Sequence, residues 1–531
     1  MTETTDKALV EFLLRPESYD LPPETPVEHV ETHISHVFLA GPRAFKLKKP
    51  VRFTFLDFSD VEKRRAACET EVALNRRTAP GIYLAVKPVR RTAAGGFRLD
   101  GGEGEIADWL VEMKRFAADG LLATKAARGT LDLSLVEALA ADVARFHASA
   151  EIHREAGGAE SFLKIVEDNL ADMEPQVGPV FDRGTVSEVD RACRALVERH
   201  RMLLDARRDK GFVRHCHGDL HLGNVTEIDG QPVIFDCIEF NDSIARIDML
   251  YDLAFLLMDL SFRARADARL ARHANRALNV YLDHVTGPDI APALEGLALL
   301  PLFAGTRAVI RAKVTAAQAR NGKAAEKRQR ARAYLDFAVE VLKPVPPRLV
   351  AMGGLSGTGK STVAKALAPA LGGMTGAIHL RTDIIRKRMF AVAPFDRLPE
   401  AAYAPGVGAR VYEEALRLTR IAIEAGQYVI VDAVFARPEE RAAAARLAAD
   451  LAVPFAGLWL EAPAAVLEAR VAAREREGRD PSDAGIAVLR KQLAYDLGAM
   501  DWQKVDASGS TAETLERAAK ACGHDKPGGR A

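Results

Sequence analysis

Residues 348–371 constrain the fold more than any other stretch of the chain. Arg348 to Met352 reads as an apolar strand, Gly354-Leu-Ser356-Gly357-Thr358-Gly359-Lys360-Ser361-Thr362 follows it, and Lys360 to Leu371 has the pattern of a helix. A strand that turns through glycines into a helix presents unpaired backbone N–H groups at the helix N-terminus, where the dipole favours an anion. In that setting Lys360 is placed to reach the outer phosphates of a nucleotide, and Ser361 to bind a magnesium ion. Strand and helix alternate from there on. Tyr428-Val-Ile-Val-Asp432 is a further apolar strand, ending in an acid suited to the magnesium shell.

Lys343-Pro-Val-Pro-Pro347 precedes this unit, and clustered prolines stiffen a linker and cannot continue a helix. A chain of 531 residues also exceeds what one core usually supports. The expected layout is a first domain over 1–342, a linker over 343–347, an α/β domain over 348–522 and a disordered tail over 523–531.

The first domain has its own signature. His217-Gly-Asp219-Leu-His221-Leu-Gly-Asn224 is followed by Asp236 in Val-Ile-Phe-Asp236. The spacing suits phosphoryl transfer to a hydroxyl: one carboxylate receives or orients the hydroxyl proton, while an Asn and a second Asp hold metal ions. His217 and His221 have the spacing of metal ligands on a helix, but Gly218 and Gly223 indicate a loop.

Around this motif the pattern predicts two strands within Thr32–Val51 joined by a Gly41-Pro42 turn, the second carrying Lys46 and Lys48. A helix over Ser59–Arg77 capped by Ser59 comes next, then strands at Tyr83–Val89 and Trp109–Met113. That gives a small lobe over about 25–115 and a helical large lobe over about 116–342, ending in long helical stretches at Leu250–Leu260 and about Leu297–Leu342.

On His217–Asn224 and Asp236, the segment Thr32–Leu342 resembles the aminoglycoside phosphotransferase-like branch of the protein-kinase-like fold. The resemblance implies Asp219 as catalytic base, Asn224 and Asp236 as magnesium ligands, Lys46 as the lysine on the nucleotide phosphates and Glu71 as its ion-pair partner. Lys48 shares a strand face with Lys46, so the choice between them stays open. Asp252 matches a position that braces the catalytic loop, and equally reads as an acid at a helix N-terminus. The adenine hinge is placed at the backbone of Val111-Glu112-Met113. No Gly-x-Gly-x-x-Gly precedes Lys46; Thr32-His-Ile-Ser35-His stands there, so a phosphate-covering turn has to use Ser35 and its backbone amides.

Residues 348–522 resemble the gluconate-kinase-like and polynucleotide-kinase-like P-loop kinases, with Gly354, Ser356, Gly357, Thr358, Gly359, Lys360, Ser361 and Thr362 on the nucleotide and Asp432 on the metal. Such kinases place acceptor-binding residues after the second strand, which makes Asp383 a base or acceptor clamp, or else a helix N-cap. Arg470 and Arg474 share a helix face and, with the run to Arg479-Asp-Pro-Ser-Asp, look like a lid over the transferring phosphate. The whole resembles a bifunctional aminoglycoside phosphotransferase-like kinase fused to a P-loop (AAA/gluconate-kinase-like) ATP-binding domain, α/β and α+β in class, using ATP and Mg2+ on small-molecule acceptors.

Lys+Arg and Asp+Glu balance at 73 each, and no aromatic-basic stacking patch is seen, which argues against a nucleic-acid binder. The five cysteines form no Cys-x-x-Cys pair, the N-terminus lacks a signal-peptide plan and no apolar run of about 18 residues stands out, so a cytoplasmic protein without a membrane span is expected. An antibiotic acceptor calls for an acidic pocket, whereas the predicted helix Leu302–Arg332 carries Arg307, Arg311, Lys313, Arg320, Lys323 and Lys327. If that helix faces the cleft, an anionic acceptor fits better. A second reading makes one nucleotide domain a regulatory switch for the other.

Overall fold

A computed structural model describes residues 7–53, 56–287, 289–319, 324–394, 396–477 and 484–523. The chain forms two compact units. The first takes the described residues up to Leu139 with Ser149–Gly157 and Arg208–Asp252; the second takes Ala140–Ala148, Gly158–Arg207 and the described residues from Leu253 onward.

The first unit is built on a six-stranded antiparallel sheet of β1 (Val27–Glu31), β2 (Ser35–Ala40), β3 (Arg43–Lys48), β4 (Tyr83–Arg91), β5 (Phe97–Leu99) and β6 (Ile106–Lys114), in the order β1-β2-β3-β6-β4-β5. Side chains alternate across β3. Phe45 and Leu47 join Phe38, Val89 and Leu110 in a core on one face, while Lys46 and Lys48 turn to the other, toward α1 (Val61–Asn75). That helix packs Cys68 and Val72 on Tyr83 and Val111. Its N-cap is Asp60, which accepts from the Lys63 N–H, and not Ser59, whose hydroxyl is taken by Asp57. Strand β1 was not foreseen, because it is an almost wholly exposed edge with no apolar alternation to betray it. The unit closes with β7 (Val213–His215) and the hairpin of β8 (Val225–Ile228) and β9 (Gln231–Ile234), which flank the Asp219 loop. From there α2 (Met249–Arg263) carries the chain into the second unit.

The second unit contains α3 (Arg269–His284), α4 (Leu300–Ala317) and α5 (Ala324–Leu342). One long helix was expected over the last two. The sequence between them holds Asn321-Gly322, a turn dipeptide. The basic side chains do not form a solvated stripe: Arg307 is buried with its guanidinium over the Phe255 ring, Arg311 lies over Tyr334, Lys313 pairs with Asp172 at 2.7 Å and Lys327 donates to the Gln318 carbonyl. Arg320 and Lys323 lie outside the described residues. With these cations engaged inside their own unit, the case for an anionic acceptor loses its support. Residues 291–317 are long and apolar enough to cross a membrane by composition, but 78% of the most apolar 18-residue window in that stretch is buried within the fold.

The rest of this unit is a parallel five-stranded sheet of β10 (Leu349–Gly353), β11 (Ile378–Arg381), β12 (Val429–Asp432), β13 (Phe455–Glu461) and β14 (Gln503–Asp506), in the order β11-β12-β10-β13-β14. Every residue of β10 is buried, which is why it reads as an unbroken apolar run. Edge strand β11 is lined by α3: Asn275 donates to the carbonyls of Thr375 and Ala377, and Asn279 accepts from the His379 N–H at 2.7 Å. All five cysteines are buried and free. The predicted tail beyond Gly523 lies outside the described residues.

Candidate active sites

In the first unit the strand alternation brings two lysines to one glutamate. Lys46 Nζ donates to Glu71 Oε1 and to Asp236 Oδ1, both at 2.8 Å, while Lys48 Nζ donates to Glu71 Oε2 at 2.6 Å and to Glu239. Lys48 and Glu71 are wholly buried, whereas the Asp236 carboxylate is 44% exposed. Lys46 is therefore the lysine that reaches the open side of the cluster, and Lys48 is its buried counterweight. Burial on its own would raise the Glu71 carboxyl, but the two ammonium groups outweigh it and hold the group at about 2. Burial likewise works against the Lys46 charge, yet Asp236 and Glu71 push its pKa well above the ordinary lysine value. Glu239 moves up, because burial exceeds the attraction of Lys48.

The loop after β7 is held from three sides. Asp252, fully buried in the first turn of α2, accepts from the backbone N–H groups of His217 and Gly218 at 3.0 and 2.9 Å, so it does brace the loop. Buried His217 bridges the Phe235 carbonyl through Nε2 and the Asp219 N–H through Nδ1. Nδ1 of His221 accepts from Gly223 N–H, and its Nε2 lies 3.5 Å from Asp219 Oδ2. These bonds engage both histidines within the loop. Asn224 donates through Nδ2 to the Asp219 carbonyl and to Asp219 Oδ2 at 2.9 Å, which fixes the carboxylate. Asp236 has φ of 63°, a left-handed conformation that costs a non-glycine residue of order 1–3 kcal/mol and is held where surroundings over-determine it. Here the Tyr83 hydroxyl accepts its N–H, and Asn75 accepts the next one, from Cys237.

Two expectations fail. The Ser35 N–H is taken by the Thr32 hydroxyl and its side chain is buried, so Ser35 is part of the turn's own bonding and not a phosphate contact. Val111–Met113 lie inside β6 and pair with β3 on one side and β4 on the other, so their backbone groups are spent on the sheet. The strand runs on to Lys114, and a hinge has to begin after it.

In the second unit the site stands at the carboxyl ends of the parallel strands, where open α/β sheets bind ligands. Gly354, Gly357 and Gly359 adopt φ of 144°, 85° and 85°; a Cβ at Gly354 would lie 2.5 Å from the Leu460 carbonyl and one at Gly357 2.7 Å from that of Leu467. Lys360 opens α6 (Lys360–Leu367), and its Nζ donates to the Leu355 carbonyl at 3.2 Å. Ser361 Oγ donates to Asp432 Oδ2 at 2.5 Å. Asp432 also meets His379 Nε2 at 3.2 Å; burial would raise its carboxyl, but the bond to His379 and nearby charges hold it well below the usual carboxylate range. Burial lowers the pKa of Lys360.

A cavity of ≈ 1820 Å³ opens over this loop, with Ser356, Thr358, Thr362, Asp383, Arg470 and Arg474 among its walls. Asp383 sits one residue inside α7 (Thr382–Met389), whose N-cap position belongs to Arg381, so the capping alternative is not realised. The two lid arginines of α8 (Ala464–Glu477) are tied to backbone: Arg470 donates to the carbonyls of Ala507 and Gly509, and Arg474 to that of Ala484. Both line the cavity that holds the phosphate loop, and Arg474 is near enough to act on the Lys360 charge; Arg479 lies outside the described residues. Sequence reasoning missed Gln492 on α9 (Ile486–Leu493), whose Oε1 accepts from the buried Ser356 N–H at 2.8 Å. A lone glutamine 136 positions away leaves no local signal.

Residues 62–288 match the family model described as "Phosphotransferase enzyme family", and residues 349–496 match the one described as "AAA domain". Proteins of Mycobacterium tuberculosis and Mycobacterium bovis described as uncharacterized are 30% identical over 499 residues, covering 92% of this chain and 94% of theirs. Among solved structures, aminoglycoside 2'-phosphotransferase-IIIa in its GDP complex matches 63% of this chain and 99% of its own, at 12% identity and a TM-score of 0.39. The Mycobacterium tuberculosis APS kinase bound to AMPPNP and APS matches 34% of this chain and 98% of its own, at 21% identity and a TM-score of 0.25.

Proposed function

The chain belongs to the family of these mycobacterial relatives, a phosphotransferase domain followed by a P-loop kinase-like domain, and from that premise we propose that both of its sites are catalytic and bind ATP with magnesium. The enzyme is a kinase that phosphorylates a hydroxyl group. In the first site Asp219 takes the hydroxyl proton, with its carboxylate aimed by Asn224. Lys46, set by Glu71, holds the nucleotide phosphates. The donors there fit magnesium: Asn224 spends its Nδ2 on Asp219 and keeps an oxygen for the ion, and Asp236 offers a partly exposed carboxylate, both hard oxygen ligands. Magnesium, when bound, neutralises charge on the transferring phosphoryl group. In the second site Lys360 and the loop amides hold phosphates, Ser361 and Asp432 supply the metal oxygens, and Asp383 clamps or deprotonates the acceptor. The acceptors are small molecules and the setting is cytoplasmic.

The observation that carries the first assignment is the Asn224 to Asp219 bond together with the Lys46 to Asp236 pair, joined through the Phe235 N–H on the Asn224 carbonyl, which supports reading base, metal ligands and phosphate lysine as one cluster. The test is transfer of labelled γ-phosphate to a metabolite library by the full-length protein, by Asp219→Asn and by Lys360→Ala. Each variant should lose a different set of products. Asp219→Asn that keeps every product refutes the first site; Lys360→Ala that keeps every product refutes the second as a kinase and leaves it a switch.

A further inference from the structure

Behind the Asp219 loop, on the same unit, the segment 151–153 pairs with β7 through an antiparallel bridge between Ile152 and Arg214. The His153 N–H donates to the Val213 carbonyl at 2.9 Å and the His215 N–H to that of Glu151 at 2.8 Å. With Ile152 and Arg214 facing one way, strand alternation turns Glu151, His153 and His215 to the other. One ligand atom from each of the three lies within 4.8 Å of the others. The two imidazoles meet at a centroid distance of 6.0 Å, and Glu151 Oε2 is 3.7 Å from His153 Nε2.

Nε2 of His153 and Nε2 of His215 are both buried with no hydrogen-bond partner, and His153 as a residue is only 6% exposed. Leaving a buried polar atom unpaired costs about 1–3 kcal/mol, and two side by side call for a shared partner. The partner's nature follows from the outer contacts. Nδ1 of His153 meets Glu155 Oε1 at 2.7 Å, so the proton of the neutral ring sits on Nδ1 and Nε2 turns a lone pair inward. A carboxylate behind a histidine is the arrangement that orients an imidazole toward a metal.

We propose that Glu151, His153 and His215 form a binding site for a divalent transition metal of the zinc class, with solvent in the fourth position. Two neutral imidazoles and one carboxylate are ligands zinc accepts, with bonds of about 2.0–2.2 Å; small side-chain rotations bring the three atoms to the corresponding separations. The ion ties segment 151–153 to the strand that leads into the Asp219 loop. The site is separate from the oxygen-ligand sites assigned to magnesium.

Cobalt(II) is the probe, titrated into chelator-treated full-length protein and followed by visible absorption, since tetrahedral nitrogen-containing sites absorb strongly and octahedral oxygen sites weakly. One equivalent should give the strong bands, and zinc should abolish them. His153→Ala and His215→Ala should lose the bands, and Glu151→Gln, at an exposed carboxylate whose exchange leaves the fold intact, should weaken binding by about tenfold or more. Zinc should also raise the melting temperature of the wild type, and by less that of Glu151→Gln at the same zinc concentration. Absence of saturable strong bands in the wild type, bands that survive in folded histidine variants, or an unchanged affinity in Glu151→Gln would each overturn the site.

Discussion

Glu71 divides its carboxylate between two lysines, Oε1 to Lys46 at 2.8 Å and Oε2 to Lys48 at 2.6 Å. The two bonds are chemically alike but differently placed, since the Lys46 side chain keeps 13% exposure and also meets Asp236, while Lys48 is sealed between Glu71 and Glu239. Lys46→Ala should therefore cost mainly rate, on the order of 10²–10³ in kcat/KM for ATP, as loss of a charge aimed at the transferring group does. Lys48→Ala should cost mainly stability, about 3–5 kcal/mol, because it leaves carboxylates buried without their cation. Denaturant melts and first-site kinetics on the two variants separate the effects.

The same glutamate sets an acid limit. Its carboxyl lies at about 2 in the folded chain against an ordinary value of 4.5. A depressed carboxyl contributes stability that is present above the unfolded pKa and lost as pH falls through the folded one, so this contribution, roughly 3 kcal/mol, disappears between about pH 4.5 and 2. Glu239, raised by burial, acts in the opposite sense and offsets part of it. Unfolding free energies measured over this window should fall steeply for the wild type and less for Glu71→Gln; parallel curves would contradict the assignment.

Asp252 holds two loop N–H groups with two oxygens. An asparagine has one acceptor oxygen, so Asp252→Asn must turn an N–H₂ toward one of those donors. The expected result is a drop in first-site kcat with KM for ATP little changed, and a stability loss of about 1–3 kcal/mol. Steady-state kinetics and a thermal melt check both parts.

Gln492→Ala should act on the second site alone. The Ser356 N–H would be left buried and unpaired, a penalty of about 1–3 kcal/mol on the ordered loop, which then populates conformations that do not bind ATP. Nucleotide affinity, measured by calorimetry in a background carrying Asp219→Asn and Lys46→Ala, should weaken about tenfold or more, while first-site turnover in an otherwise wild-type chain stays unchanged.

What was readable in advance was what lies close in sequence or repeats with the period of its element. The Asp219 loop holds its groups within eight residues, the phosphate loop is announced by a fully buried strand, and Lys46 and Glu71 sit on an alternating strand and the helix after it. Long-range pairings left no such trace. Glu239 looks like any acid until β3 delivers Lys48 to it, and His379 becomes a partner of Asp432 only once β11 and β12 are set side by side. Boundaries failed where hydrogen bonding and not hydrophobicity decides them: β6 runs to Lys114, and Asp57 claims the Ser59 hydroxyl. The basic run on α4 misled because a guanidinium can be buried over an aromatic ring.

The asparagine pair on α3 bears on how the chain is made. The ribosome delivers the chain from its N-terminus. Helix α3 therefore emerges with its amides ready about a hundred residues before β11 is synthesised. When that strand arrives, its His379 N–H meets Asn279, and the carbonyls of Thr375 and Ala377 just before it meet Asn275, and not a second nascent chain. An unguarded edge strand is a template for aggregation. Expression of residues 348–531 alone removes this intramolecular chaperone and should yield insoluble protein, whereas a start before Arg269 retains the guard.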